Sequence, residues 1–324
     1  MLTKFLRYLS ALALAAAAGV FAQDYPNKQV VVVVPFAAGG PTDTLARNLG
    51  VALTNTLKQQ VIIDNTAGAG GTIAYNKVAK AKPDGYTVLI AHIGMSTAPA
   101  LYRNLGFNPL ADYEYIGQVA DVPMTLLAKK GLPPDNLKEL LVYIKANKDK
   151  LNYANAGLGA ASHLCGLLFM SQIQADLTTI SYKGTAPAMT DLIGGQVDLM
   201  CDQTTNTTQQ IKAGTVKVYG VTSKMRVPSL KFVPTLAEQG LKNFEVVVWH
   251  GLYVPKGTPK PVVDKLIAAL QAAVQDPTFK ARLADLGAEP VPVAKANPEA
   301  LRTHLQAEIN KWGPIIKKAG IYAD

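Results

Sequence analysis

Cysteine and histidine are scarce, with two and four in 324 residues. His92, His163, His250 and His304 stand far apart, with no H-E-x-x-H run and no paired cysteines, so the usual spacings of a metal centre are missing and no metal is expected. Aromatic residues make up only 7% of the chain and the basic residues form no block. The stacking platforms and basic stripes of a nucleic-acid groove are therefore absent, and no nucleic-acid partner is expected. Pro41 and Thr42 follow Gly39-Gly40 where a P-loop would need lysine and a hydroxyl, which argues against nucleotide hydrolysis. The glycines at 68, 70 and 71 in "AGAGGT" miss the dinucleotide-binding spacing, and no cofactor is expected. Internal repeats and low-complexity tracts are also lacking.

The first residues do carry an apolar run. Lys4 and Arg7 precede a stretch from Leu9 to Val20, and Val20-Phe21-Ala22 provides a small-residue cleavage site, so residues 1–22 read as a secretory signal peptide. The run is shorter than the roughly 20 residues that a bilayer crossing needs. Removing 22 residues from 324 leaves 302, and because the removed part holds two basic and no acidic residues, the net charge falls from +9 to +7. A chain of that length exceeds what a single core usually supports, so two lobes are expected. In an oxidising compartment Cys165 and Cys201 can form a disulfide; their apolar surroundings equally suit two buried thiols.

A repeated order runs along the chain: a short apolar segment, a loop of glycine and small polar residues, then apolar residues three and four apart. It predicts an α/β fold with a mostly parallel sheet. The first unit is Val30 to Val34, the loop "PFAAGGPTDT", and a helix with Leu45, Leu49, Leu53 and Leu57 on one face. Later units are Val61 to Ile63 with "DNTAGAGGT", Tyr86 to Ala91 with the polar loop "HIGMSTAP", Leu151 to Ala154 with "NAGLGAASH", and Leu177 to Ser181 with "YKGTAP". Val246 to Pro255 reads as a further apolar strand, and the tail as a helix with Leu301, Leu305, Ile309, Trp312 and Ile316 on one stripe.

Ligands of open α/β sheets sit at the carboxyl ends of strands, where these loops meet helix N-termini. In the first loop Gly39 and Gly40 allow close backbone approach, Pro41 suits the first helical position, and Thr42 or Asp43 can cap. Such a loop suits an anion, although an ordinary tight turn uses the same residues. Ser162 and His163 open a helix after Gly157 and Gly159, where His163 can donate to an anion or cap. Gly94-Met95-Ser96-Thr97-Ala98 nearly matches the G-x-S-x-G elbow of a serine hydrolase, with His250 or His304 as bases, but Pro99 and the missing oxyanion signature argue against it. Several loops offer donors and no nucleophile, base and orienter can be named together, so binding is expected rather than catalysis.

The leader, "VVVVPFAAGGPTDTLAR", "DNTAGAGGTIAYNKVAKAKPDGYTVLIA", "YANAGLGAASHL" and "YKGTAPAMTDLIGGQVDLMCDQ" together resemble the Bug-type, TctC-like solute-binding proteins of tripartite tricarboxylate transporters. The resemblance implies a type II periplasmic-binding fold of two α/β lobes joined by two crossovers: 24–121 with 247–324, and 122–246. It implies a monomer in the periplasm that captures a small carboxylate and delivers it to integral membrane subunits. The first loop, including Phe36, Ala37, Gly40, Thr42 and Asp43, would hold waters that reach one end of the ligand. Gly157, Gly159, Ala160, Ala161, Ser162 and His163 would clamp a carboxylate. His92, Ser96, Lys183, Gly184, Thr185 and Asp202 would face the cleft. Many relatives carry several hydroxyls in the second-lobe loop, whereas Leu158, Ala160 and Ala161 stand here, which suits a carboxylate with an apolar or aromatic body. A carboxylate sensor feeding a signalling system is the remaining alternative.

Overall fold

The computed structural model describes residues 25–323. The expected signal peptide at 1–22 lies outside the described residues. Ten strands occur among them: β1 (Val30–Val34), β2 (Val61–Asn65), β3 (Thr87–His92), β4 (Tyr113–Lys129), β5 (Asn152–Asn155), β6 (Thr178–Ser181), β7 (Leu199–Gln203), β8 (Val216–Val221), β9 (Val247–Pro255) and β10 (Glu289–Pro290). The ten α-helices are α1 (Pro41–Leu57), α2 (Thr72–Ala79), α3 (Gly94–Leu101), α4 (Leu137–Asn147), α5 (Ala161–Ile173), α6 (Thr185–Ile193), α7 (Thr204–Lys212), α8 (Lys260–Ala273), α9 (Pro277–Asp285) and α10 (Pro298–Ala319).

The strands run in the order β2-β1-β3-β9-β4-β7-β5-β6, with β8 and β10 also paired to β4. Residues Tyr113 to Pro123 of β4 pair with β9, whereas Met124 to Ala128 pair with β7. This one strand therefore passes from one α/β half of the molecule into the other. The sheet is mixed, which corrects the mostly parallel expectation. β1, β2 and β3 are parallel, as are β5, β6 and β7, but β4, β8, β9 and β10 pair antiparallel. The physical reason is connectivity: strand-helix-strand units make parallel neighbours, while β4 and β9 connect the halves in opposite directions.

β1 shows why five valines form a central strand. Val30, Val32 and Val34 enter the core with Leu45, Leu49 and Leu53 of α1, while Val33 enters the second core with Tyr75 and Val78 of α2. Both faces are covered, so an unbroken apolar run is required. Each fully buried leucine of α1 contributes about 1.5–3 kcal/mol, enough to fix the helix axis and hence where its N-terminus points. Cys165 of α5 and Cys201 of β7 form a disulfide with Cα atoms 6.1 Å apart. It joins the two elements of the second half whose ends carry the residues discussed next.

The segment read as a polar loop at 92–99 is instead strand end and helix α3. Ser96 Oγ bonds back to the carbonyl of Ile93 at 2.6 Å, satisfying its hydroxyl within the turn. This local pairing lets a short helix hold Pro99 near its end.

Candidate ligand-binding site

Four helices begin around one small cavity. With the halves closed it has a volume of only about 10 Å3, room for about one water molecule, and is lined from the first half by Phe36, Pro41, Thr42 and His92, and from the second by Ala156, Ala160, Ala161, Ser162, Thr185, Asp202 and Gln203. Helices α1, α5, α6 and α7 have no side-chain cap at their N-termini. Their first N–H groups are therefore left without intrahelical or side-chain acceptors in a buried place, with the positive ends of the helix dipoles behind them. Such an arrangement calls for an anion or ordered water.

The local geometry explains why these ends stay open. Gly40 occupies the N-cap of α1 with extended backbone, and Asp43 turns back to the loop. Burial alone would raise the Asp43 pKa, but the Arg47 guanidinium (2.8 Å), the Gly39 N–H (2.8 Å) and Asn65 (3.0 Å) outweigh it and hold the carboxyl below its ordinary range. Asp43 thus braces the loop and does not line the cavity. Gly184, at φ +147°, forms the N-cap of α6; a Cβ there would lie 2.9 Å from the nitrogen of Ala37. The Ala37 N–H donates to the Lys183 carbonyl at 3.1 Å, so glycine permits the two loops to meet.

On the first-half wall, His92 stacks on Phe36 with ring centroids 4.7 Å apart. Its Nδ1 accepts from the Gly94 N–H at 2.9 Å, which leaves the proton of the neutral ring on Nε2 as a donor. Burial lowers the His92 pKa to about 4 and keeps the ring neutral. Behind it, His250 pairs with Thr42 Oγ1 at 3.3 Å, and burial together with His92 pushes its pKa well down.

On the opposite wall Ser162 Oγ accepts from the Ala156 N–H at 2.9 Å, leaving its own proton free to be donated. His163 Nδ1 accepts from the Gly159 N–H at 3.2 Å, and burial lowers its pKa to about 4. It shapes the turn and is not a cavity wall. Asp202, only 1% exposed, is raised to about 6 by burial, against the opposing pull of Asn206 Nδ2 (2.6 Å) and the Gln203 N–H (2.8 Å). The Thr185 hydroxyl acts on it in the same direction yet completes no hydrogen bond of its own.

Of the residues expected from the sequence, Phe36, Thr42, His92, Ala160, Ala161, Ser162, Thr185 and Asp202 line the cavity. Ala37, Gly40, Gly157, Gly159, Lys183 and Gly184 form the turns behind it. Ser96 is buried with its hydroxyl bonded to Ile93. It forms no hydrogen bond with a histidine among the described residues. Pro41 and Ala156 fall within the two loops, 36–43 and 156–163, that the resemblance places at the ligand, whereas Gln203 and the supporting His250 were not singled out as ligand contacts. Gln203 follows Asp202 at a strand end, and that position is the signal by which it could have been found.

The halves also touch directly. Thr97 Oγ1 donates to the Gly159 carbonyl at 2.9 Å and Thr204 Oγ1 to the Gly287 carbonyl at 2.9 Å. The site is therefore held in a closed arrangement.

Known proteins share this construction over most of the chain. Residues 45–321 match the family described as the tripartite tricarboxylate transporter family receptor. The periplasmic binding protein BugD is 55% identical, with a TM-score of 0.90 over 93% of this chain and 100% of that one. MatC from Rhodopseudomonas palustris, solved with bound malate, is 40% identical, with a TM-score of 0.86 over 90% and 100% of the two chains. A second R. palustris protein, solved with adipate, is 35% identical, with a TM-score of 0.87 over 92% and 99%. The matched span, the paired α/β halves and the convergent helix ends lead to one conclusion: this chain is a solute-binding receptor of the tripartite tricarboxylate transporter family.

Proposed function

We propose that the protein is a periplasmic receptor that closes on a small organic carboxylate and presents it, chemically unchanged, to the integral membrane subunits of its transporter. The observation that carries this reading is the meeting of uncapped, buried helix N-termini from both halves at one cavity. A carboxylate there would receive main-chain N–H groups from α1 and α5, the Nε2 proton of His92 and the hydroxyl of Ser162. Lobe one comprises residues 24–121 and 247–324, and lobe two residues 122–246. Residues 1–22 direct export and the receptor works as a monomer. Phe36 of the first half and Ala156 and Ala160 of the second form an apolar cluster where the halves meet at the cavity, which suits the hydrocarbon body of the ligand. Malate and adipate in related receptors are small dicarboxylates; a ligand of that class would enter as the halves separate and would hold them further apart than they stand here.

Thermal-shift and calorimetric titration with mono-, di- and tricarboxylates test the reading. A true ligand at 100 times its dissociation constant adds about 2.7 kcal/mol of stability. Small-angle scattering should show the ligand-free molecule more extended than the loaded one. Absence of binding by every carboxylate, with no change in dimensions, would remove the proposal.

A further inference from the structure

The geometry points to a ligand that carries, besides its carboxylate, a hydrogen-bond donor directed at Asp202, Gln203 and Thr185. This deepens the carboxylate-receptor reading and rests on it. The cavity has two chemical ends. Toward α1 and α5 it presents donors, which a carboxylate satisfies. Toward the end of β7 it presents acceptors. Gln203 Oε1 is buried and has no partner, and Asp202 holds one donor on each oxygen, the Gln203 N–H and Asn206 Nδ2. Thr185 Oγ1, also buried and unpaired, stands beside them. Among the described residues no cationic side chain bonds to Asp202.

A plain dicarboxylate offers only acceptors to this end, so it would leave Gln203 Oε1 unpaired and set like charges against Asp202. A hydroxyl or ammonium group on the ligand satisfies the same atoms. An ammonium would in addition supply the missing counter-charge, whereas a hydroxyl would bridge Gln203 and Asp202. Asp202 is accordingly a specificity-determining residue, and the apolar wall of Phe36 and Ala160 receives the carbon chain between the two polar ends.

Calorimetry on the whole mature protein with matched acid sets separates the cases: succinate, malate and aspartate; glutarate, 2-hydroxyglutarate and glutamate; 3-phenylpropionate, phenyllactate and phenylalanine. In a set that binds, the donor-bearing member should be at least about 30-fold tighter than the plain acid. Asp202→Asn should reduce that ratio to about 3-fold or less, falling furthest for the amino acids if the donor is an ammonium and remaining higher for the hydroxy acids if it is a hydroxyl. The comparison on unmodified protein stands even if a variant folds poorly, and Thr185→Val supplies a second, milder variant with the same expected direction. Plain acids binding as tightly as their donor-bearing counterparts, or Asp202→Asn weakening all members equally, would overturn the inference while leaving the carboxylate receptor intact. Failure of every set to bind would remove both.

Discussion

Thr97 and Gly159 face each other across the two halves, with the Thr97 hydroxyl donating to the Gly159 carbonyl at 2.9 Å. Gly159 belongs to the turn that opens α5, so a bond to its carbonyl helps aim the following N–H groups at the cavity. A contact made only when the halves meet stabilises the closed state, and ligand affinity depends on how populated that state is. Thr97→Val should weaken binding by about 3- to 10-fold, the equivalent of one hydrogen bond, while Thr97→Ser should retain most of the affinity. Stopped-flow measurement should place the change in the off-rate; an unaltered off-rate in the valine variant would refute this role.

Gly70 makes a closer approach. It has φ +61°, and a Cβ at this position would lie 2.0 Å from the Leu158 carbonyl oxygen of the opposite half. Gly70→Ala should therefore obstruct closure while leaving each half folded, lowering affinity by about tenfold or more. Scattering with saturating ligand should show a less compact molecule than the unmodified protein. A variant that closes fully and binds normally would contradict the contact.

The Cys165–Cys201 disulfide spans 36 positions of sequence. In the chain-entropy model a loop of this length contributes about 4 kcal/mol, by restricting the unfolded chain. Replacing both cysteines with serine should lower Tm by about 8 °C, taking about 2 °C for each kcal/mol in a protein of this size. Calorimetry of the variant beside the oxidised and reduced parent provides the check.

Acid and base should act in opposite senses on two kinds of buried group. Folding raises the Asp202 pKa from 3.8 to about 6, so its contribution is fully present below about pH 4 and is lost as pH rises through about 6. His92 and His163 are lowered from 6.5 to about 4; their contribution is full above about pH 6.5 and declines as pH falls toward 4. In ligand-free protein, Asp202→Asn should be near neutral at pH 4 and stabilising by about 2–3 kcal/mol at pH 8, from about two pKa units at 1.36 kcal/mol each. Denaturant unfolding of parent and variant across this range measures the difference. A gap that does not change with pH would show that Asp202 is not held protonated by the fold.

Much of this protein could be read from local chemistry. Five consecutive valines require cover on both faces, leucines at every fourth position require one buried helix face, and glycines after strands mark turns that lead into helices. Those rules located β1, α1 and the loops around Phe36, Ser162 and Thr185, whereas Asp202 was expected only from the family resemblance. They are short-range rules. They gave no means of seeing that β4 runs through both sheets, because a strand containing Glu114, Asp121 and Pro123 has no simple alternation, and its pairing with β7, β8 and β9 joins segments roughly a hundred residues apart. They also misread Ser96 as part of a loop, since only the helical turn reveals that its hydroxyl is satisfied by Ile93. The pairing of the cysteines, the service of Asp43 as a brace and the meeting of Asp202, Gln203 and Thr185 at one cavity were likewise decided by tertiary structure. The sequence determined which segments form strands, helices and anion-seeking turns; only the folded chain decided which turns converge, because convergence depends on contacts between distant segments and on which polar atoms those contacts leave unpaired.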